Sequence, residues 1–145
     1  MHNNLIARTS VHINSASSTI WDALTKPELI EQYFFGTRVQ SDWKVGNPII
    51  FKGEWEGKEY TEKGIILKNE PEKVLQYNYF NPLSGLEDVP ENYAIITFEL
   101  TKENKGITLT VSQDKIASPE AKHDSEQNWG KVLTGLKELV EKILV

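Results

Sequence analysis

The amino-acid sequence predicts an α+β fold: a strongly curved antiparallel sheet of about six to seven strands around a long C-terminal helix, with two short helices after the first strand. Three observations predict it. Residues 5 to 14, LIARTSVHIN, alternate with the period of a half-buried strand. Residues 37 to about 115 repeat that period between short turns, which favours an antiparallel meander. Residues 119 to 144 carry the longest helical pattern. No repeat, linker or low-complexity run divides the chain, so residues 1–145 are read as one domain.

In the first strand Leu5, Ala7, Val11 and Ile13 share one face, and Arg8, Ser10 and His12 the other. The serines of SASSTIWDAL offer N-caps to a helix that presents Ile20, Trp21 and Leu24. Thr25-Lys26-Pro27-Glu28 fits a capping box, with Thr25 as N-cap and Glu28 at the third helical position, and proline is tolerated in a first turn. A second short helix then presents Leu29, Ile30, Tyr33 and Phe34 and stops at Gly36.

Turn residues at Gly46-Asn47-Pro48, Gly57-Lys58, Glu70-Pro71-Glu72, Asn81 to Gly85 and Glu103 to Gly106 divide the strand region. Phe51 and Trp55 alternate with Lys52, Glu54, Glu56 and Lys58. Leu75, Tyr77 and Tyr79 alternate with Gln76 and Asn78. Ile96, Phe98 and Leu100 alternate with Thr97 and Glu99, and Leu109, Val111 and Gln113 continue the inner parity. In KEYTEKGIILK apolar residues fall on both parities, which leaves Tyr60 unassigned. The last helix places Trp129, Val132, Leu133, Leu136, Leu139, Val140, Ile143 and Leu144 on one stripe. Gly130 and Gly135 each cost such a helix about 1 kcal/mol, so their use is expected to be close approach to the sheet or room for something between the two.

Sixteen basic residues against twenty-one acidic give a charge of −5, the wrong sign for gripping a phosphate backbone, so no nucleic-acid partner is expected. Zero cysteines exclude disulfide and thiolate chemistry. The N-terminal stretch MHNNLIARTS lacks an apolar leader core, and no run reaches the ~20 apolar residues of a membrane span, so the expected state is soluble, unprocessed and cytoplasmic.

His2, His12 and His123 show no metal-ligand spacing and are read as exposed. Glu54 and Glu56 share the outer face with Lys52 and Lys58 and are read as solvated, not catalytic. GEWEGK lacks the spacing of a phosphate loop, and Ser17, Ser18 and Ser112 lack a nucleophile elbow. Glu87 and Asp88, in the loop 82–91, are either cavity guards or plain surface. No metal, cofactor or catalytic constellation is expected.

Three segments, IWDALTKPELIEQYF (20–34), GIILKNEPEKVLQYNY (64–79) and NWGKVLTGLKELVEKI (128–143), carry a resemblance. In their order, over nearly the whole chain, they resemble the family related to the activator of the 90-kilodalton heat-shock protein ATPase, within the START-like, helix-grip (SRPBCC) superfamily. The resemblance implies a cavity between sheet and long helix, which relatives use for lipids, polyketides, plant hormones or other apolar ligands. It implies that Trp21, Tyr33 or Phe34, and Trp129 face that cavity, with a polar side chain at Gln113.

Fourteen aromatics are many for so small a core. Trp21, Phe34, Phe51, Trp55, Tyr77, Tyr79, Phe98, Gln113, Trp129 and Leu133 are the candidate ligand-binding residues, with Tyr77, Tyr79 and Gln113 orienting the polar end of a mostly apolar ligand. A packed core is the alternative use of the same aromatics. The expected function is binding of an apolar or amphipathic small molecule. The rivals are a cyclase or hydrolase acting on a polyketide-like substrate, and a protein-interaction module with a chaperone as partner, in a monomer or a dimer.

Overall fold

The first strand, β1 (Leu5–Ile13), buries Ala7 and Ile13 and leaves Arg8 and His12 outside, as its alternation predicts. The structure, a computed structural model, describes residues 5–82 and 85–143, and the side chains of Trp55 and Ile143 lie outside that description, as do His2 and Leu144. Two short helices follow, α1 (Ser17–Thr25) and α2 (Pro27–Tyr33). Six strands come next: β2 (Arg38–Ser41), β3 (Pro48–Trp55), β4 (Lys58–Glu70), β5 (Val74–Tyr79), β6 (Ala94–Glu103) and β7 (Gly106–Ile116). The chain ends in α3 (Pro119–Ile143). The seven strands form one antiparallel sheet in the order β1-β7-β6-β5-β4-β3-β2. Register shifts between Leu5 and Ala7 and between Ile66 and Lys68 mark irregularities of the kind that bend strands.

The helix ends differ from their expected chemistry. Thr25 is not an N-cap: it ends α1, its hydroxyl donates to the Trp21 carbonyl at 2.8 Å, and Lys26 stands at the N-cap of α2 without a side-chain bond. The hydroxyl finds an acceptor one turn back and does not reach the orphan amides of α2. Nor do serines cap α1. Ala16 takes the N-cap, and the Ser17 hydroxyl reaches Glu72 at 2.7 Å. At α3 a serine does cap, since Ser118 Oγ accepts the Ala121 amide at 3.1 Å.

The last helix lies against β1 and β7 and touches α1 and α2. Leu133, Leu136 and Val140 are fully buried in the core with Ile13, Ile20 and Leu24, each contributing ~1.5–3 kcal/mol. The close approach at Gly135 is to α2, because a Cβ there would stand 3.2 Å from Tyr33 Cβ; at Gly130 the nearest atom, Thr9 Cγ2 on β1, would be 3.9 Å away. The outer edge of β1 is covered by α3. Glu126 accepts the Arg8 amide at 2.9 Å, Glu141 accepts the Asn14 amide at 3.0 Å, and Lys137 donates to the His12 carbonyl at 2.9 Å.

Candidate functional site

The C-terminal half of α3 fills the sheet, and its N-terminal half does not. Between residues 121 and 132 of α3 and the inner faces of β3 to β7 lies a cavity of about 1130 Å³, which Phe34 and Phe35 after α2 also line. Among its lining residues are Phe51, Tyr77, Ile96 and Trp129, an apolar wall built from four elements.

Strand register sets each side chain. Phe51 on β3 stands opposite Glu62 on β4, and Gly53 stands opposite Tyr60. A side chain at Gly53 would collide with the Tyr60 ring, so the glycine is what lets that ring lie across β3. The Tyr60 hydroxyl then meets Thr37 Oγ1 at 2.8 Å. On β5 the rings of Tyr77 and Tyr79 pack on Phe51, with centroids 5.4 and 6.3 Å away. Trp129 meets Phe34 and Phe98 edge-on, both at 5.8 Å.

The polar groups divide into paired and unpaired. Tyr79 Oη donates to Glu62 at 3.0 Å, and Trp129 Nε1 donates to Gln113 Oε1 at 2.9 Å. Ser125 Oγ donates to the same amide oxygen at 3.4 Å. The Tyr77 hydroxyl and the Gln113 amide nitrogen have no hydrogen-bond partner among the described residues. Burial pushes the Tyr77 hydroxyl far above the usual phenol range, and burial with the Glu62 carboxylate does the same to Tyr79, so both remain protonated donors. Burial also raises the Glu62 carboxyl, and the bond from Tyr79 opposes that rise.

Of the ten residues expected to bind ligand, Phe34, Phe51, Tyr77, Tyr79, Gln113 and Trp129 line the cavity together. Trp21 does not: it packs half-buried against the core. Leu133 is fully buried in the core, and its neighbour Val132 lines the cavity instead. Phe98 borders a separate void of about 20 Å³ shared with Leu24 and Ile30. The side chain of Trp55 is outside the described residues.

Sequence reasoning missed Tyr60, Glu62 and Phe35. Its readable signal was the turn, since a two-residue loop at Glu56-Gly57, both with positive φ, forces even-numbered residues of β4 to face inward opposite Phe51. Glu54 and Glu56 are both exposed as expected, although Glu56 lies in that turn and not on the strand face, and it borders the cavity. Glu87 and Asp88 do not line the cavity; Asp88 instead binds Lys63 and the Tyr93 hydroxyl. His12 and His123 are exposed, and no group of potential metal ligands occurs among the described residues. No helix among them is long and apolar enough to cross a membrane.

The sequence profile of the family described as Activator of Hsp90 ATPase homolog 1-like protein matches residues 14–141. The chain is 43% identical to a protein of Cytophaga hutchinsonii whose solution structure is known, with 99% of each chain covered and a TM-score of 0.85. A crystal structure from Mesorhizobium loti is similar at 22% identity, covering 96% of this chain and 97% of that one, with a TM-score of 0.74. The Aha1 dimer of Colwellia psychrerythraea shares the fold at 16% identity and a TM-score of 0.73, over 94% and 96% of the two chains. No curated protein matches the chain in sequence.

Proposed function

This chain belongs to the family of Activator of Hsp90 ATPase homolog 1-like proteins, and we propose that it binds an apolar or amphipathic small molecule between the sheet and α3. One observation carries this reading: the cavity has an aromatic wall and, set into it, two hydrogen-bond donors that no group among the described residues satisfies, Tyr77 Oη and the Gln113 amide nitrogen. Neither atom is sealed off from the cavity, so a ligand carbonyl or hydroxyl oxygen can pair with them, each bond worth about 0.5–1.5 kcal/mol. An apolar wall with a few convergent polar groups is the usual make-up of a small-molecule site.

Native mass spectrometry of freshly purified protein, beside a denatured sample, tests it. A compound of defined mass that leaves on unfolding supports the reading. For the compound so identified, Trp129→Phe should weaken binding, because it trims one wall and removes the bond that orients Gln113; unchanged affinity would place the ligand elsewhere. A clean mass with a co-purifying protein would favour a chaperone or other protein partner.

A second reading, acid–base turnover of a polyketide-like substrate, is favoured by the raised Glu62 carboxyl beside Tyr79. It predicts chemical conversion of the bound compound that stops in Glu62→Gln.

A further inference from the structure

Binding of a neutral apolar molecule leaves one group of the cavity without a use. Glu62 stands directly opposite Phe51, where facing side chains on neighbouring strands have Cβ atoms about 4.5–5.5 Å apart. Tyr60 precedes it by two positions on the same face of β4. Its carboxylate accepts the Tyr79 hydroxyl at 3.0 Å. Three aromatic rings therefore flank one half-buried carboxyl.

The hydrogen-bond partner is neutral. Among the described residues the ion pairs of the chain use Asp22, Asp88, Glu126 and Glu141, and none uses Glu62. A carboxylate withdrawn from water with no counter-charge is costly. With Glu62 the lining carries four carboxylates, the others being Glu56, Glu59 and Asp124, beside three lysines, Lys58, Lys115 and Lys131, and what acts on the Glu62 carboxyl is burial and the Tyr79 bond, not a neighbouring cation. Ring faces carry negative potential and attract cations.

We propose that the ligand of this cavity is an amphipathic cation, an apolar body with an ammonium group that pairs with Glu62 inside the rings of Phe51, Tyr60 and Tyr79. The inference rests on the reading of the cavity as a ligand site and adds to it the charge of the ligand. A neutral molecule leaves Glu62 uncompensated and an anion is repelled by it. A cation supplies the missing partner, and the free Tyr77 and Gln113 donors then serve an acceptor oxygen elsewhere on the same molecule.

The test uses one apolar body with three head groups: n-octylammonium, n-octanol and octanoate, titrated into the whole chain at neutral pH and followed by tryptophan fluorescence. Octylammonium is expected to bind at least about tenfold tighter than octanol, and octanoate weakest of the three. Glu62→Gln should abolish that preference, and Glu59→Gln, at an exposed position of the lining, should retain it. Equal affinity for ammonium and alcohol overturns the charge assignment and leaves the cavity reading standing. A preference that survives Glu62→Gln, or falls equally in Glu59→Gln, overturns Glu62 as the partner. If none of the three binds, the proposal fails, and a clean native mass beside that result removes the cavity reading too. Should Glu62→Gln not fold, Phe51→Leu provides the second arm, with a reduced preference for ammonium expected and an unchanged one counting against the aromatic enclosure.

Discussion

Glu62 is held above the usual carboxylate range by burial, partly offset by the bond from Tyr79. Its protonated form is therefore favoured by folding. The stability it contributes is fully present below the carboxyl's ordinary value and is lost as pH rises through its raised value in the fold. Glu62→Gln, which keeps the shape and an acceptor for Tyr79, should accordingly raise the melting temperature at pH 7, with the gain shrinking to nothing in acid. Thermal melts of both proteins between about pH 3.5 and 7 check this; a gain independent of pH would mean that the carboxyl is not strained by burial. A residue kept at a cost to stability is the pattern expected where binding, not packing, fixes its identity. Its neighbours Phe51, Tyr77 and Gln113 were legible from strand parity alone. Glu62 was not, because Tyr60, Ile65, Ile66 and Leu67 put apolar side chains on both parities of β4, and only the pairing with β3 decides between them.

At the scale of elements, α3 shows how one sequence feature serves two purposes. A methyl group on Gly130 would stand an ordinary 3.9 Å from Thr9 Cγ2, whereas one on Gly135 would stand 3.2 Å from Tyr33 Cβ. Tyr33 cannot yield easily, since its backbone belongs to α2 and its hydroxyl is held by the Ala23 carbonyl at 2.7 Å. Gly130→Ala should stabilise the protein by about 0.5–1 kcal/mol through helix propensity. Gly135→Ala should lose about 1–2 kcal/mol, because overpacking outweighs the same propensity gain. Urea denaturation of the two variants distinguishes the cases, and equal effects would show that α2 does not press on α3. The break between α1 and α2 was legible from Pro27, but its capping was not: Thr25 had two acceptable partners, and the backbone carbonyl of Trp21 took the hydroxyl.

For the whole molecule, the decisive feature is that α3 closes the core along only part of its length. Leu133, Leu136 and Val140 close the core, while the turns from 121 to 132 meet β6 and β7 through the Ser125 and Trp129 side chains and border the cavity. A ligand that fills this space binds the folded chain and not the unfolded one, so at a hundred times its Kd it adds about 2.7 kcal/mol. For a chain of this size that is a rise in melting temperature on the order of 10 °C. Differential scanning calorimetry with the compound identified by mass checks it, and no shift at saturating ligand would mean that binding lies outside the fold's cooperative unit. The alternation of the strands, the stripe of α3 and the corner at Pro27 are local periodicities, and so the order of elements and the inner faces of most strands were determined by the sequence itself. Which inner-face residues border empty space was decided only in three dimensions. Trp21 and Gln113 both have the right face of the right element, yet Trp21 joins the core and Gln113 the cavity, because where α3 stops closing the core depends on the packing of α2 against Gly135 and on the register of seven strands at once.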